Sequence, residues 1–315
     1  MLTDTHPHLA RSAGPLLPLL LDPQIREIRC TSAGRVFAIH ADDGKQQHPD
    51  LDPRVLDGFL ALVADVVGGE WRESSPTLHA ANPKLAFRVQ ASRFPVSPGP
   101  CMTLRRHPNR VYPLASWVDK GILTLAQHDA LLQALVTRQT IVISGAVGSS
   151  KTSLLNALLH ALRDTDERIV VVEDDPEVVC EALDCEFQRT VRLLDGQAAI
   201  SMEDLCRDLL RHSPDRVVVG ELRGAEALPA IQAFQTGHAG LTTLHAPSAA
   251  STLLRLEQLI QIRSLGPQRP LIAEAVNVIV HMESYGRLWR CTNLLRVARE
   301  LDAAGHYVTS SLLEG

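Results

Sequence analysis

The chain has 315 residues, 45% hydrophobic and 21% charged, which excludes a disordered polypeptide and leaves room for two domains with buried cores. Its 31 basic and 36 acidic residues give a net charge of −5, so no overall electrostatic footprint for nucleic acid exists. The six cysteines contain no Cys-x-x-Cys pair, which removes zinc-ribbon and thioredoxin-like readings and leaves free thiols in a reducing cytosol as the expectation.

The apolar run Leu16 to Leu21 is broken by Pro18 and is too short to cross a bilayer, so a soluble protein is expected, with any membrane association peripheral. Residues 1 to 106 read as a smaller α+β domain. A strand is expected over Arg35 to Ile39, followed by a turn at Asp42-Asp43-Gly44. Val55 to Val67 has apolar residues at helical spacing and stops at Gly68-Gly69. Leu85 to Val89 and Met102 to Leu104 are short strands, separated by the proline-rich loop Phe94 to Pro100.

A linker is expected over 107–112, built on His107-Pro108-Asn109-Arg110. The rest, 113–315, reads as a second domain. Leu114 to Val118 and Leu125 to Val136 are helical, and Ile141 to Ile143 is a buried strand. Further strands fall at Ile169 to Val172, Val217 to Val219 and Leu241 to Leu244. Alternating strands and helices of this kind give a parallel sheet covered on both faces.

The chemistry starts at the Ile141 strand. Gly145-Ala146-Val147-Gly148-Ser149-Ser150-Lys151-Thr152-Ser153 follows it and leads into a helix with an apolar face at Leu154, Leu155, Leu158 and Leu159. Strand, glycine-bearing loop, Lys-Thr and helix form the context of a P-loop. Its N–H groups and helix N-terminus cradle phosphates, Lys151 reaches the β- and γ-phosphates of ATP, and the Thr152 hydroxyl coordinates Mg²⁺. The pattern G-x-x-x-x-G-K-[ST] is broken at its second glycine, which is Ser150.

Each later strand ends in a polar cluster, where open parallel sheets bind ligands. Glu221, after Val217 to Val219, is the expected Walker B acid on the Mg²⁺ side. Asp215 precedes that strand, at the wrong end. Glu173, after Ile169 to Val172, is placed to orient and polarise the attacking water.

P-loop, Glu-Asp box, Gly-Glu Walker B and His box, in this order, resemble the secretion ATPase superfamily of type II and type IV secretion. Ser213 to Leu228, Gln235 to Gly240, Val179 to Ala182 and Phe94 to Leu104 look like the TrbB-type conjugative-transfer ATPases within it. The resemblance spans residues 85 to 300 and is most specific over 140 to 260. It implies a P-loop (RecA-like) ATPase domain behind a smaller N-terminal domain. Six such subunits would form a homo-hexameric ring that drives assembly or substrate passage beside inner-membrane components of a secretion complex. The ring would be cytoplasmic and peripheral at the inner membrane.

By the same resemblance, His238 and His245 belong to a γ-phosphate-sensing His box, and Arg88 and Arg105 supply positive charge to the nucleotide. Arg207 and Arg211 are alternative arginines. Two departures, Ser150 in the P-loop and His212-Ser213 before the Walker B strand, bear on turnover more than on binding. A pilus or type II secretion motor and a regulatory ring with little turnover are the competing readings.

Overall fold

The computed structural model describes residues 7–40, 43–80, 87–106, 111–192, 198–286 and 288–313. The described residues form two compact units, the first within 7–106 and the second made of 111–192, 198–286 and 288–313. Most of the expected linker, 107–110, lies outside the described residues, as does Asp42 of the expected turn.

The first unit opens with short helices α1 (Pro7–Ser12) and α2 (Leu17–Leu21). The strands β1 (Ile25–Cys30), β2 (Val36–His40) and β3 (Gly44–His48) follow, then helix α3 (Pro53–Val67) and the strands β4 (Thr77–Ala80), β5 (Phe87–Ser92) and β6 (Cys101–Arg106). The six strands form an antiparallel sheet in the order β3-β2-β1-β6-β5-β4. Helix α3 starts where Asp52 accepts from Arg54 N and ends where Gly68 turns left-handed (φ 69°), a standard αL stop. Its apolar stripe (Leu56, Phe59, Leu60, Val63) is buried with Ile28, Ala38, Val89 and Leu104 from alternate positions of the strands.

That alternation leaves the other face of the sheet polar. Arg88 and Arg105 are cross-strand partners there, with Glu27 opposite Arg105 on the far side. The two arginines singled out by resemblance therefore share one face of one sheet.

The second unit contains α4 (Leu114–Asp119), α5 (Leu125–Val136), β7 (Ile141–Gly145), α6 (Lys151–His160), β8 (Ile169–Glu173), β9 (Cys185–Arg189), β10 (Val191–Arg192), β11 (Ala198–Ile200) and α7 (Met202–Asp208). It continues with β12 (Arg216–Leu222), α8 (Ala227–Gln235), β13 (Ala239–His245), α9 (Ala249–Ile260), α10 (Gln268–Ala275), β14 (Val278–Tyr285), β15 (Leu288–Leu301) and β16 (Tyr307–Ser311). Eight strands form one sheet, β16-β15-β14-β7-β13-β12-β8-β9, and β10 and β11 pair separately. One face is covered through Leu131, Leu154 and Leu158 of α5 and α6, the other through Ile231, Leu256 and Ile272 of α8, α9 and α10.

The sheet is parallel from β14 to β9 but antiparallel through β14, β15 and β16. Strand–helix alternation thus ends after α10. Three strands in succession, joined by tight turns, have no crossover and must run antiparallel.

Candidate active site

The P-loop joins the carboxyl end of β7 to α6, and its backbone is specified residue by residue. Gly145 has φ 152°, and a Cβ there would stand 2.2 Å from the Met282 carbonyl oxygen, so only glycine fits. Gly148 (φ 76°) and Ser150 (φ 66°, ψ 27°) are left-handed. The missing second glycine of the motif thus sits where a Cβ costs roughly 1–2 kcal/mol. Ser150 is the N-cap of α6 yet makes no side-chain cap hydrogen bond. The first-turn N–H groups of that helix are left for an anion, which fits a phosphate chain.

Lys151 is 6% exposed and arches back over the loop. Its Nζ donates to Ala146 O at 2.8 Å and to Nδ1 of His245 at 3.1 Å. Burial pulls its pKa down to about 8, against the attraction of Glu221. His245 closes β13 at the same edge of the sheet. With Nδ1 accepting from the lysine, its proton resides on Nε2, which faces Oε1 of Glu221 at 2.9 Å. Arg223 Nη2 donates to the other oxygen, Oε2, at 2.6 Å. Oε1 is buried, and its close contact with His245 Nε2 is not aligned as a hydrogen bond, which leaves an acceptor placed for a cation.

Thr152, Glu173, Glu177, Glu221 and Arg223 line one cleft. Glu173, 2% exposed, is the most enclosed of its acids. Its Oε2 accepts from the backbone N–H groups of Glu177 (2.9 Å) and Val178 (2.8 Å), and its Oε1 from Arg189 Nε at 2.9 Å. Burial pushes its pKa up while these donors oppose the shift. Asn156 of α6 clips the same acidic segment by bonding Glu177 O and Val179 N, each at 3.1 Å.

The geometry thus brings together Lys151, Thr152, Glu173, Glu221 and His245. It does not bring His238. That residue precedes β13, whereas His245 ends it, and six or seven residues of strand separate them by roughly 20 Å. His238 instead contacts Thr236 Oγ1 at 3.0 Å, at the opposite end of β13 from His245. Asp215 is also at the amino edge, accepting from Arg168 N at 2.9 Å. Arg207 pairs with Glu203, and Arg211 with Asp208 at 2.7 Å, so both are engaged in their own segment.

Sequence reasoning assigned no role to Arg223, Arg189 or Trp289. Arg223 had a signal, since it lies two residues beyond the Walker B acid. Arg189 and Trp289 had none, because their partners are distant in sequence. Below the loop, Ser144 Oγ meets Nδ1 of His281 at 2.9 Å and receives a hydrogen bond from Thr252 Oγ1 at 2.9 Å. Burial lowers the His281 pKa.

Comparison with known proteins gives the chain's relatives. Residues 75–293 match the family model "Type II/IV secretion system protein". The chain is 33% identical to the conjugal transfer protein TrbB of Rhizobium radiobacter, over 97% of this chain and 94% of that one. It is 28% identical to the type IV secretion system protein VirB11 of Brucella suis, over 86% and 84%. Among solved structures, the Legionella pneumophila ATPase DotB (TM-score 0.61, 19% identity, 94% and 78% covered) shares the fold. So does the pilus retraction motor PilT with bound ADP (0.62, 20%, 85% and 77%). A family match over most of the chain and a full-length relative above 30% identity lead to one conclusion: the chain belongs to the type II/IV secretion system protein family.

Proposed function

We propose that this protein hydrolyses ATP as the ring motor of a conjugative-transfer, type IV secretion apparatus. The observation that carries the reading is the chain Lys151–His245–Glu221 laid across a P-loop whose helix N-terminus is uncapped. The full-length similarity to TrbB supports the choice of conjugative transfer.

In this reading the loop N–H groups and Lys151 hold the phosphate chain. Lys151 then exchanges Ala146 O and His245 for phosphate oxygens, and His245 turns its Nε2 proton to the terminal phosphate. Thr152 Oγ1 and Glu221 Oε1 would hold Mg²⁺, whose charge would offset that developing on the phosphate oxygens. Among the described residues no cluster of three or more His, Cys, Asp or Glu could hold a metal, as suits an ion that completes its shell with phosphate and water. Glu173 takes the attacking water on Oε1 in exchange for Arg189. Arg88 or Arg105 supplies further positive charge to the terminal phosphate across an interface in a homo-hexamer.

The ring would work in the cytoplasm against inner-membrane components, and no helix among the described residues is long and apolar enough to cross a membrane. Steady-state ATPase activity of the purified oligomer, titrated with Mg²⁺ and compared with Glu221→Gln, tests the activity. Light scattering with an ATP analogue tests the ring. A monomer with full activity would refute the shared site.

A further inference from the structure

The strand order of the second unit fixes which way a nucleotide must lie. β7, which carries the P-loop, has β13, β12 and β8 on one side and β14 with β15 on the other. Every acid and histidine that faces the terminal phosphate in the proposed reaction (His245, Glu221, Glu173) ends a strand on the first side. With the γ-phosphate drawn there and the middle of the chain held at Lys151, the ribose and base leave on the second side. That side is occupied by the β14–β15 hairpin.

The hairpin is built to meet them. Met282 of β14 is level with Gly145, and Ser284, two residues on, pairs with Trp289 of β15. At ~3.3 Å per residue the indole stands roughly 7 Å above the end of the P-loop strand. Its Nε1 donates to the carbonyl of Gly148 at 3.0 Å, so the ring lies against the crest of the loop. Trp289 also packs against the core cluster that contains Leu154 and Leu158 of α6, which sets it on the helix side of the sheet. The next pair along the hairpin, Tyr285 and Leu288, is exposed but points to the opposite face, so Trp289 alone presents an aromatic ring on the P-loop side.

We propose that Trp289 and this hairpin receive the purine base of the nucleoside triphosphate, with the indole as its stacking partner. The assignment rests on the ATPase reading above and adds to it a base-contacting residue outside every motif. An aromatic face tolerates any base but grips a purine with more area than a pyrimidine.

The test separates base from phosphate. Dissociation constants for ATP and for inorganic triphosphate, each with Mg²⁺, are measured by calorimetry on the wild type, Trp289→Ala and Trp289→Phe. Stacking predicts an ATP affinity loss of roughly ten-fold in the alanine variant, with less than two-fold change for triphosphate and most of the ATP affinity restored by phenylalanine. Equal losses for both ligands would show that Trp289 acts only on the loop, and unchanged ATP binding would show that the base goes elsewhere; either overturns the proposal. The wild type supplies a check that needs no variant. A 2-aminopurine triphosphate should lose fluorescence on binding as its base stacks, and undiminished emission from the bound probe counts against the assignment. Failure of the wild type to bind either ATP or triphosphate would overturn the ATPase reading itself, and this inference with it.

Discussion

The ammonium of Lys151 stands 3.1 Å from Nδ1 of His245, ninety-four residues away in the chain. The contact ties the carboxyl end of β13 to the P-loop. It also means that the imidazole, through Nε2, faces Glu221 whenever the lysine holds Nδ1. The phosphate-binding cation and the metal-side acid are thus joined through one ring.

Replacing that ring should affect turnover more than binding. His245→Ala leaves the loop N–H groups and Lys151 in place but removes the group that orients both Lys151 and Glu221. The expected loss in kcat is about 100-fold with ATP affinity changed only a few-fold. Rapid-quench turnover and equilibrium binding on the same protein measure the two separately. A parallel loss in both would assign His245 to ground-state binding.

Lys151 gives the site a pH dependence. With its pKa lowered to about 8 in the ligand-free protein, the lysine is partly neutral at mildly alkaline pH, and a bound phosphate chain restores its charge. ATP binding above pH 8 should therefore take up a proton, and affinity should fall as pH rises through that value. Calorimetry in buffers of different ionisation enthalpy reads the uptake, which Lys151→Met abolishes. For stability the sign runs the other way. Between about 8 and 10.5 the unfolded chain binds the extra proton, so the cost of burying this ammonium is relieved as pH rises.

Ser150→Gly should stabilise the loop. The residue sits at φ 66°, where removing Cβ relieves roughly 1–2 kcal/mol. Glycine's greater freedom in the unfolded chain takes back a little under 1 kcal/mol. A gain near 1 kcal/mol would raise the melting temperature by about 2–4 °C for a unit of this size. ATP affinity or turnover should improve modestly, since strain of this order weakens a site without disabling it. Unchanged melting and unchanged binding would show that the serine hydroxyl compensates.

The two glutamates should fail differently. Glu173 holds two backbone N–H groups and Arg189, so Glu173→Gln removes a charged acceptor from a buried network. It should cost about 1–3 kcal/mol of stability as well as turnover. Glu221→Gln should melt like the wild type, lose turnover and require more Mg²⁺. Thermal melts with Mg²⁺ titrations distinguish them, and identical melting of both variants would contradict this division of roles.

What was legible in the sequence is what the chain writes contiguously. The P-loop, the strand ends at Glu173 and Glu221, and the helix over Leu125–Val136 are patterns of neighbours, and the fold keeps them. Residue order also let two histidines share a box that the strand between them pulls to opposite edges of the sheet. The antiparallel edge was missed because β15 is amphipathic without a motif, and its direction is decided by turn length alone. Trp289 and Arg189 were invisible for a different reason. Each acts on a residue set beside it only by the completed sheet, 141 and 16 positions away.

Beneath the loop, Thr252, Ser144 and His281 are stitched together where α9, β7 and β14 meet. All three are buried, and none of their bonds can be exchanged for water without opening the core. The floor of the nucleotide site is therefore stiff, and the crest above it, residues 146–148, is exposed. A power stroke that begins at this site must leave through the strand ends and the hairpin above the floor, with β7 serving as the fixed frame against which they move.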